Sequence, residues 1–266
     1  QLLSGFDREI VALVEAELTL HDVEVQTGVN VRAIEALNGS LLVHADDVTS
    51  QADLVLIAAG IRPNVSLAKE AGIRIGETGA IAVDSQQRTD VTDIFAAGDC
   101  AEAQNVVSGR PTWVPLGTTA NKQGKIAGAN ASGAHDTFQG IVATGVFKSF
   151  DLQVTRTGLS QHEIEKLGLD AIRSVSEQPS RADSYRGAQP IHTVLFVERG
   201  SERLLGVQMA GRDGVGLRID VFATALHAKL TLSQIEALDL AYAPPFAPVY
   251  DPVLIAATVA RKDAKK

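Results

Sequence analysis

One cysteine, one methionine and one tryptophan are all that this 266-residue sequence holds of those three residues. A lone Cys100 has no partner for an internal disulfide and fits a reducing, cytoplasmic setting. Positive charge is also scarce, with 24 Lys and Arg against 32 Asp and Glu, a net of −8. Sequence-independent binding to nucleic acid or to an anionic membrane needs clustered cations, so neither is expected as a partner. The one locally basic stretch is the terminal "RKDAKK", which reads as a frayed, solvated tail. Apolar runs such as "LVLIAAGI" fall far short of the ~20 residues of a membrane span. The six histidines show no metal-ligand spacing, and with a single thiol no metal site is expected.

Common motifs fail as well. "GVG" at 214–216 lacks the third glycine of G-x-G-x-x-G, because Ile219 stands there. "QGKIAG" is no P-loop: Thr119 takes the first glycine position, and no Ser or Thr follows Lys125. No Gly-x-Ser-x-Gly elbow is present. The chain opens on "QLLSGFDREI", with neither an initiator Met nor an apolar signal segment, just ahead of a helix. We read it as the C-terminal part of a longer polypeptide.

What is present is an ordinary globular composition, 45% hydrophobic and 21% charged, with ample material for a core. Asp7 is placed as the N-cap of a helix carrying Ile10, Val11, Leu13, Val14 and Leu18. "VEVQTG" and "VRAIEAL" read as strands, and Asn38-Gly39 turns the second into "SLLVHA". "ADLVLIAAG" (52–60) is apolar on both faces, as expected of a buried parallel strand, and ends in the loop "GIRPN". "GAIAVD" and "TDIFAAGD" read as further strands. "PLGTTANKQGKIAGANASG" reads as a helix with Pro115 in its first turn. After about residue 141 the pattern becomes α+β. It comprises "ATGVFKSF", "LQVTRTGL", a helix with a Ser160–Glu163 capping box, and a hairpin with its tip near Gly200-Ser201. Two helices follow ("VGLRIDVFATALHAKL" and "TLSQIEAL"), then a last one capped by Asp251 before Pro252.

The segment with most chemical content is "VTDIFAAGDC", 91–100. A strand ending Ala-Ala-Gly puts little side-chain bulk at its C-terminal edge, where ligands bind open α/β sheets. An Asp there can accept hydrogen bonds from sugar-like hydroxyls, each charge-assisted bond contributing about 1.5–3 kcal/mol. Taken alone, such an Asp reads first as a helix or turn cap after a strand, and only its surroundings favour a ligand.

Thr92, Ile94, Phe95, Ala96, Gly98 and Asp99 resemble the second flavin-binding motif of the pyridine nucleotide–disulfide oxidoreductases. "AAGIRPN" (58–64) is similar to the segment that ends that family's NAD(P)H domain. "WVPLGTTANKQGKIAG" is similar to the helix whose N-terminus meets the flavin pyrimidine. The resemblance implies an α/β protein in which partial FAD/NAD(P)-binding Rossmann-like domains precede an α+β dimerisation domain. The expected divisions are 1–65 (NAD(P)H-binding), 66–138 (FAD-binding) and 139–266 (dimerisation). It implies FAD and NAD(P)H as cofactors and a homodimer. Asp99 and Gly98 would hold the ribityl chain, while Pro115, Leu116, Gly117 and Thr118 would meet the flavin pyrimidine. Gly60 and Ile61 would border the nicotinamide, and Phe246 would pack near the partner's flavin. A helix N-terminus carries about half a unit of positive charge and stabilises the anion that a reduced flavin forms at its N1–C2=O edge.

The His-Pro-x-x-x-Glu motif of the glutathione- and lipoamide-type members is absent. "DLAYAPPFAPVYDPVLIAA" resembles instead the single-cysteine branch of coenzyme A-disulfide reductases, NADH oxidases and peroxidases, and persulfide reductases. Tyr242 in "YAPPF", and Tyr185 in "DSYRGA" by a looser match, are the candidates to assist the substrate thiol, which the resemblance implies to be that of coenzyme A disulfide or a persulfide. Read alone, Tyr185 fits a surface loop and Tyr242 aromatic packing. Cys100 lies in the wrong place for the redox thiol, which the resemblance puts upstream of this chain. Two alternatives accompany this reading: an NADH oxidase or peroxidase, and a dimerisation module inactive by itself.

Overall fold

The computed structural model describes residues 1–46 and 48–265. Helix α1 (Arg8–Leu20) leads into β1 (Val31–Leu37), β2 (Ser40–Ala45) and β3 (Val48–Ala52), an antiparallel sheet in that order. The β1–β2 turn has positive φ at both Asn38 and Gly39, the hairpin geometry that an Asn-Gly pair favours. A short helix α2 (Ser66–Glu70), a two-stranded ladder of β4 (Ala103–Gln104) and β5 (Pro111–Thr112), and the long helix α3 (Gly117–Ala131) follow.

The rest is built on a five-stranded antiparallel sheet. Its strands are β6 (Gly145–Ser149), β7 (Leu152–Gly158), β8 (Ala171–Pro179), β9 (Pro190–Glu198) and β10 (Leu204–Gly211), in the order β6-β7-β10-β9-β8. Between and after them come α4 (Gln161–Leu167), α5 (Val215–His227), α6 (Leu232–Glu236) and α7 (Pro252–Asp263). Register assigns the faces. Arg156 stands opposite Gln208, and Gln208 opposite Val194, so these three point the same way. That is the side on which α1 lies, since Asp7 accepts from Gln208 Nε2 (3.0 Å) and from Arg173 Nε (2.8 Å). On the other face Val207, Met209 and Leu195 are fully buried with Ile219 and Phe222 of α5 and Val253 and Ala257 of α7.

Local signals hold. Ser160 and Glu163 form the expected capping box, and Asp251 accepts from the Val253 N–H ahead of α7. Thr231 and Gln234 form a second box at α6. Asp7 does sit at the N-cap of α1, but its carboxylate makes no cap bond; Arg173 and Gln208 take it instead. A buried carboxylate gains more from a cation than from one backbone N–H.

Several expected elements differ. "VEVQTG" forms no strand, and "ADLVLIAAG" is neither paired beyond Ala52 nor buried. Leu54 and Leu56 are 83% and 85% exposed. A parallel strand is made by its neighbours, and no described strand lies beside this one. "GAIAVD" contributes only single bridges, from Ile81 to Ile75 and to Ala101. In "TDIFAAGD", Asp93 adopts a positive φ and only Phe95 bridges, to Arg88, so a turn occupies the expected strand start. Pro115 precedes the N-cap of α3 rather than standing in its first turn. The terminal "RKDAKK" is ordered in its first half. Arg261 pairs with Glu236 at 2.7 Å, and Asp263 accepts from Ser174 at 2.7 Å.

Candidate functional site

The first cluster forms where the Ala-Ala-Gly-Asp segment meets α3. Ala96 and Ala101 are buried with Ile73 and Ile81 in a small core. Backbone bonds clamp both sides of the turn: Ala96 N to Gln87 O (3.1 Å), Ile81 N to Cys100 O (2.8 Å) and Glu102 N to Ile81 O (2.9 Å). Gly98 has φ +84°, a region that only glycine enters without cost. Its N–H donates to Gln123 Oε1 at 3.0 Å, and the same amide donates from Nε2 to Glu102 O at 2.7 Å. Gln123, fully buried on α3, thus stitches both ends of the turn to the helix. Trp113 adds a bond from Nε1 to Asp99 O at 2.8 Å.

With its backbone fixed, Asp99 turns an exposed carboxylate outward, and no described residue hydrogen-bonds it. Beside it α3 begins without a cap, because its N-cap is Leu116, whose side chain cannot accept a bond. The N–H groups of the first helical turn have no intrahelical partner by construction; Gly117 and Thr118, which open that turn, are exposed. The Cys100 thiol, by contrast, turns back to Ala97 O at 3.5 Å and is half-buried.

The second cluster joins two loops that flank β8–β9 and α6–α7. Ala182 N donates to Pro244 O at 3.3 Å, which brings the Tyr185 loop against the loop of Tyr242 and Phe246. Tyr185 and Tyr242 are 43% and 48% exposed, and Phe246 is 78% exposed. Asp213 anchors the base of the Tyr185 loop, pairing with Arg181 and accepting from Ser180 Oγ at 2.9 Å. Burial alone would raise the Asp213 carboxyl, but hydrogen bonds from Arg181 and Ser180 outweigh it and hold the pKa below its ordinary value. A carboxylate depressed in the fold contributes stability above its unfolded pKa and loses it as pH falls through the lower folded value. The window therefore lies at and below about pH 4. Asp213→Asn is expected to flatten the acid limb there, seen as a shallower fall of the unfolding midpoint between about pH 5 and about pH 3. Equal slopes in both proteins would count against it.

Gly60 and Ile61 form no part of either cluster. Both are exposed on their loop, and no described hydrogen bond links them, or the two clusters, to each other. Sequence reasoning missed Gln123, Trp113, Arg181, Asp213 and Arg218. Each works through a contact more than ten residues away in the chain, and no local pattern marks it.

Comparison with known proteins bears on the whole chain. The family description "Pyridine nucleotide-disulphide oxidoreductase" matches residues 1–124, and that family's dimerisation domain matches residues 142–252. The chain belongs to this family. Among curated members it is similar to "NAD(P)H sulfur oxidoreductase (CoA-dependent)" of Pyrococcus furiosus, 39% identical over 97% of this chain and 58% of that protein. It is also similar to "NADH oxidase" of Methanocaldococcus jannaschii, 31% identical over 98% of this chain and 58% of that protein. Of solved structures, an NAD-dependent persulfide reductase from A. fulgidus superposes with a TM-score of 0.94 at 40% identity, covering 98% of this chain and 49% of that one. The chain thus spans 58% of the length of these curated relatives. Among the described residues no helix is long and apolar enough to cross a membrane.

Proposed function

We propose that this chain supplies the C-terminal part of a homodimeric, cytoplasmic flavoprotein that passes hydride from NAD(P)H through FAD to a disulfide or persulfide substrate. Coenzyme A disulfide or a coenzyme A persulfide is the substrate class in view. Residues 1–65, 66–138 and 139–266 would contribute to nicotinamide binding, flavin binding and dimerisation. The observation that carries the reading is the first cluster. An exposed carboxylate that no described residue hydrogen-bonds stands on a locked turn beside an uncapped helix start. That acceptor-and-donor pair fits FAD, which has a polyol chain to donate and a ring edge to accept.

Bound there, FAD supplies two-electron redox chemistry between nicotinamide and thiol. Asp99 would accept from ribityl hydroxyls, with Gly98 keeping side-chain bulk away. Pro115 and Leu116 would aim the N–H groups of Gly117 and Thr118 at the pyrimidine edge, placing partial positive charge where negative charge develops. Gly60 and Ile61 would border the nicotinamide. From the second cluster, the Tyr242 phenol, assisted by Tyr185, would donate a proton to the departing substrate thiolate. A phenol's ordinary pKa of about 10 sits close enough to that of a thiol for this transfer. Phe246 would face the partner's flavin. The redox thiol is proposed to lie outside these 266 residues, since Cys100 is directed to Ala97.

A second reading, an NADH oxidase or peroxidase, is favoured by the Methanocaldococcus relative. The two separate when the flavin-loaded, full-length protein is assayed anaerobically with coenzyme A disulfide and, in parallel, with oxygen or peroxide as the only acceptor. Consumption of NAD(P)H on adding coenzyme A disulfide supports the disulfide reading. Turnover that requires oxygen or peroxide and ignores the disulfide sinks it. Flavin bound at Asp99 is also expected to quench the emission of Trp113, the one tryptophan of these 266 residues, whose indole is bonded to the Asp99 carbonyl, read as the difference from a Trp113→Phe variant. Undiminished emission in the loaded protein would place the flavin elsewhere.

A further inference from the structure

We propose that Arg218 is a positioning residue that sets the Tyr185 loop and the Tyr242–Phe246 loop in one working arrangement. The role rests on the proposed part of the two tyrosines in thiol release.

Arg218 lies on α5, and its side chain is only 11% exposed. The guanidinium bonds four residues, which lie in the β8–β9 loop, at the start of α5 and in the stretch ahead of α7. Nε donates to both carboxylate oxygens of Asp251, at 3.1 and 2.9 Å. Nη1 donates to Gly214 O at 3.0 Å. Nη2 donates to Ser180 O at 2.9 Å and to Phe246 O at 3.2 Å. One Nη2 atom therefore spans the two loops that carry the tyrosines. Asp251 is held in turn by the α7 start, where it accepts from Val253 N at 2.9 Å. Gly214 leaves the space that the guanidinium fills, because a Cβ there would strike Arg218 Nη1.

Among the described residues, the backbone bond that joins these loops directly is Ala182–Pro244 at 3.3 Å, and the Tyr242 loop forms no regular element before α7. Two exposed phenols on separate loops can serve one thiolate only if their backbones keep a common register. A planar fork of five donors suits that task, whereas a lysine ammonium is a single point with three donors. Arg218 touches neither substrate nor cofactor in this role and acts through Tyr242.

The test is a half-reaction comparison on the flavin-loaded, full-length protein by stopped flow. Variants are Arg218→Lys, Tyr242→Phe and the double variant, with Asp251→Asn as a milder disturbance that keeps an acceptor for the α7 cap. Arg218→Lys is expected to leave flavin reduction by NADH within about 2-fold and to slow reoxidation by coenzyme A disulfide about 10- to 100-fold, a span typical of lost orientation. The double variant is expected to lose much less than the product of the two single losses, because coupled residues are not additive. Asp251→Asn should show a smaller loss in the same half-reaction.

Unchanged reoxidation in Arg218→Lys, with Tyr242→Phe impaired, overturns the positioning role and leaves the tyrosine reading standing. Additive losses, or equal slowing of both half-reactions together with a lower melting temperature, overturn it in favour of a general structural role. If Tyr242→Phe reoxidises normally, the tyrosine reading itself falls, and this inference falls with it.

Discussion

Replacing Asp99 with Ala is expected to weaken FAD binding about 10- to 150-fold, the loss of a charge-assisted hydrogen bond of about 1.5–3 kcal/mol. The effect should be clean because the Asp99 side chain makes no hydrogen bond or ion pair among the described residues. Its carboxylate is exposed, while the turn beneath it is held by backbone bonds, by Gln123 and by the Trp113 bond to the Asp99 carbonyl. Asp99→Asn keeps an acceptor of the same shape and gives up only the charge, so its loss should be smaller. Equilibrium dialysis of flavin against the folded variants measures both. An Ala variant that holds FAD as tightly as the parent protein removes Asp99 from the site. Gln123→Leu makes an instructive contrast. It leaves the half-buried Gly98 N–H and the Glu102 carbonyl without their partner, a buried orphan costing about 1–3 kcal/mol, so its first symptom should be instability.

Phe222→Ala is expected to cost about 3–5 kcal/mol of stability, or about 6–20 °C in melting temperature for a chain of this size. Phe222 sits fully buried on α5, in the core shared with Val207, Met209 and Leu195 of the five-stranded sheet. Truncation leaves a void that a close-packed sheet–helix interface cannot collapse to fill. Leu217 on the same helix is 82% exposed, and Leu217→Ala should stay within about 0.5 kcal/mol in the isolated subunit. Calorimetry on the two variants checks the pair. A Phe222→Ala protein melting with the parent would mean that α5 does not pack as described.

The two predictions sit at different distances from the sequence. The Asp99 motif is contiguous, and its residues can be recognised in order along the chain. Phe222 is one of many apolar residues in a helical pattern, and its full burial depends on a sheet formed by strands far away in the chain. Gln123 is harder still. In the sequence it is a polar residue in an Ala- and Gly-rich helix, and only the fold shows its amide bridging Gly98 and Glu102.

By itself the sequence determined what is decided within a few residues. Ser160–Glu163 and Asp251–Pro252 set helix starts, and Asn38-Gly39 set a hairpin, because a cap or a tight turn is closed by its immediate neighbours. The Ala-Ala-Gly-Asp run likewise announced a small-bulk turn ending in a carboxylate. Tertiary structure decided everything that needs a distant partner. "ADLVLIAAG" had the composition of a buried strand, yet composition cannot supply the neighbours that make one, and its leucines stand in solvent. Asp7 had the position of a helix cap, and two side chains from the far sheet took its carboxylate. Arg218 carried no signal at all in the chain. Its role exists only because folding brings Ser180, Phe246 and Asp251 within reach of one guanidinium, and long-range contacts of that kind leave no local pattern.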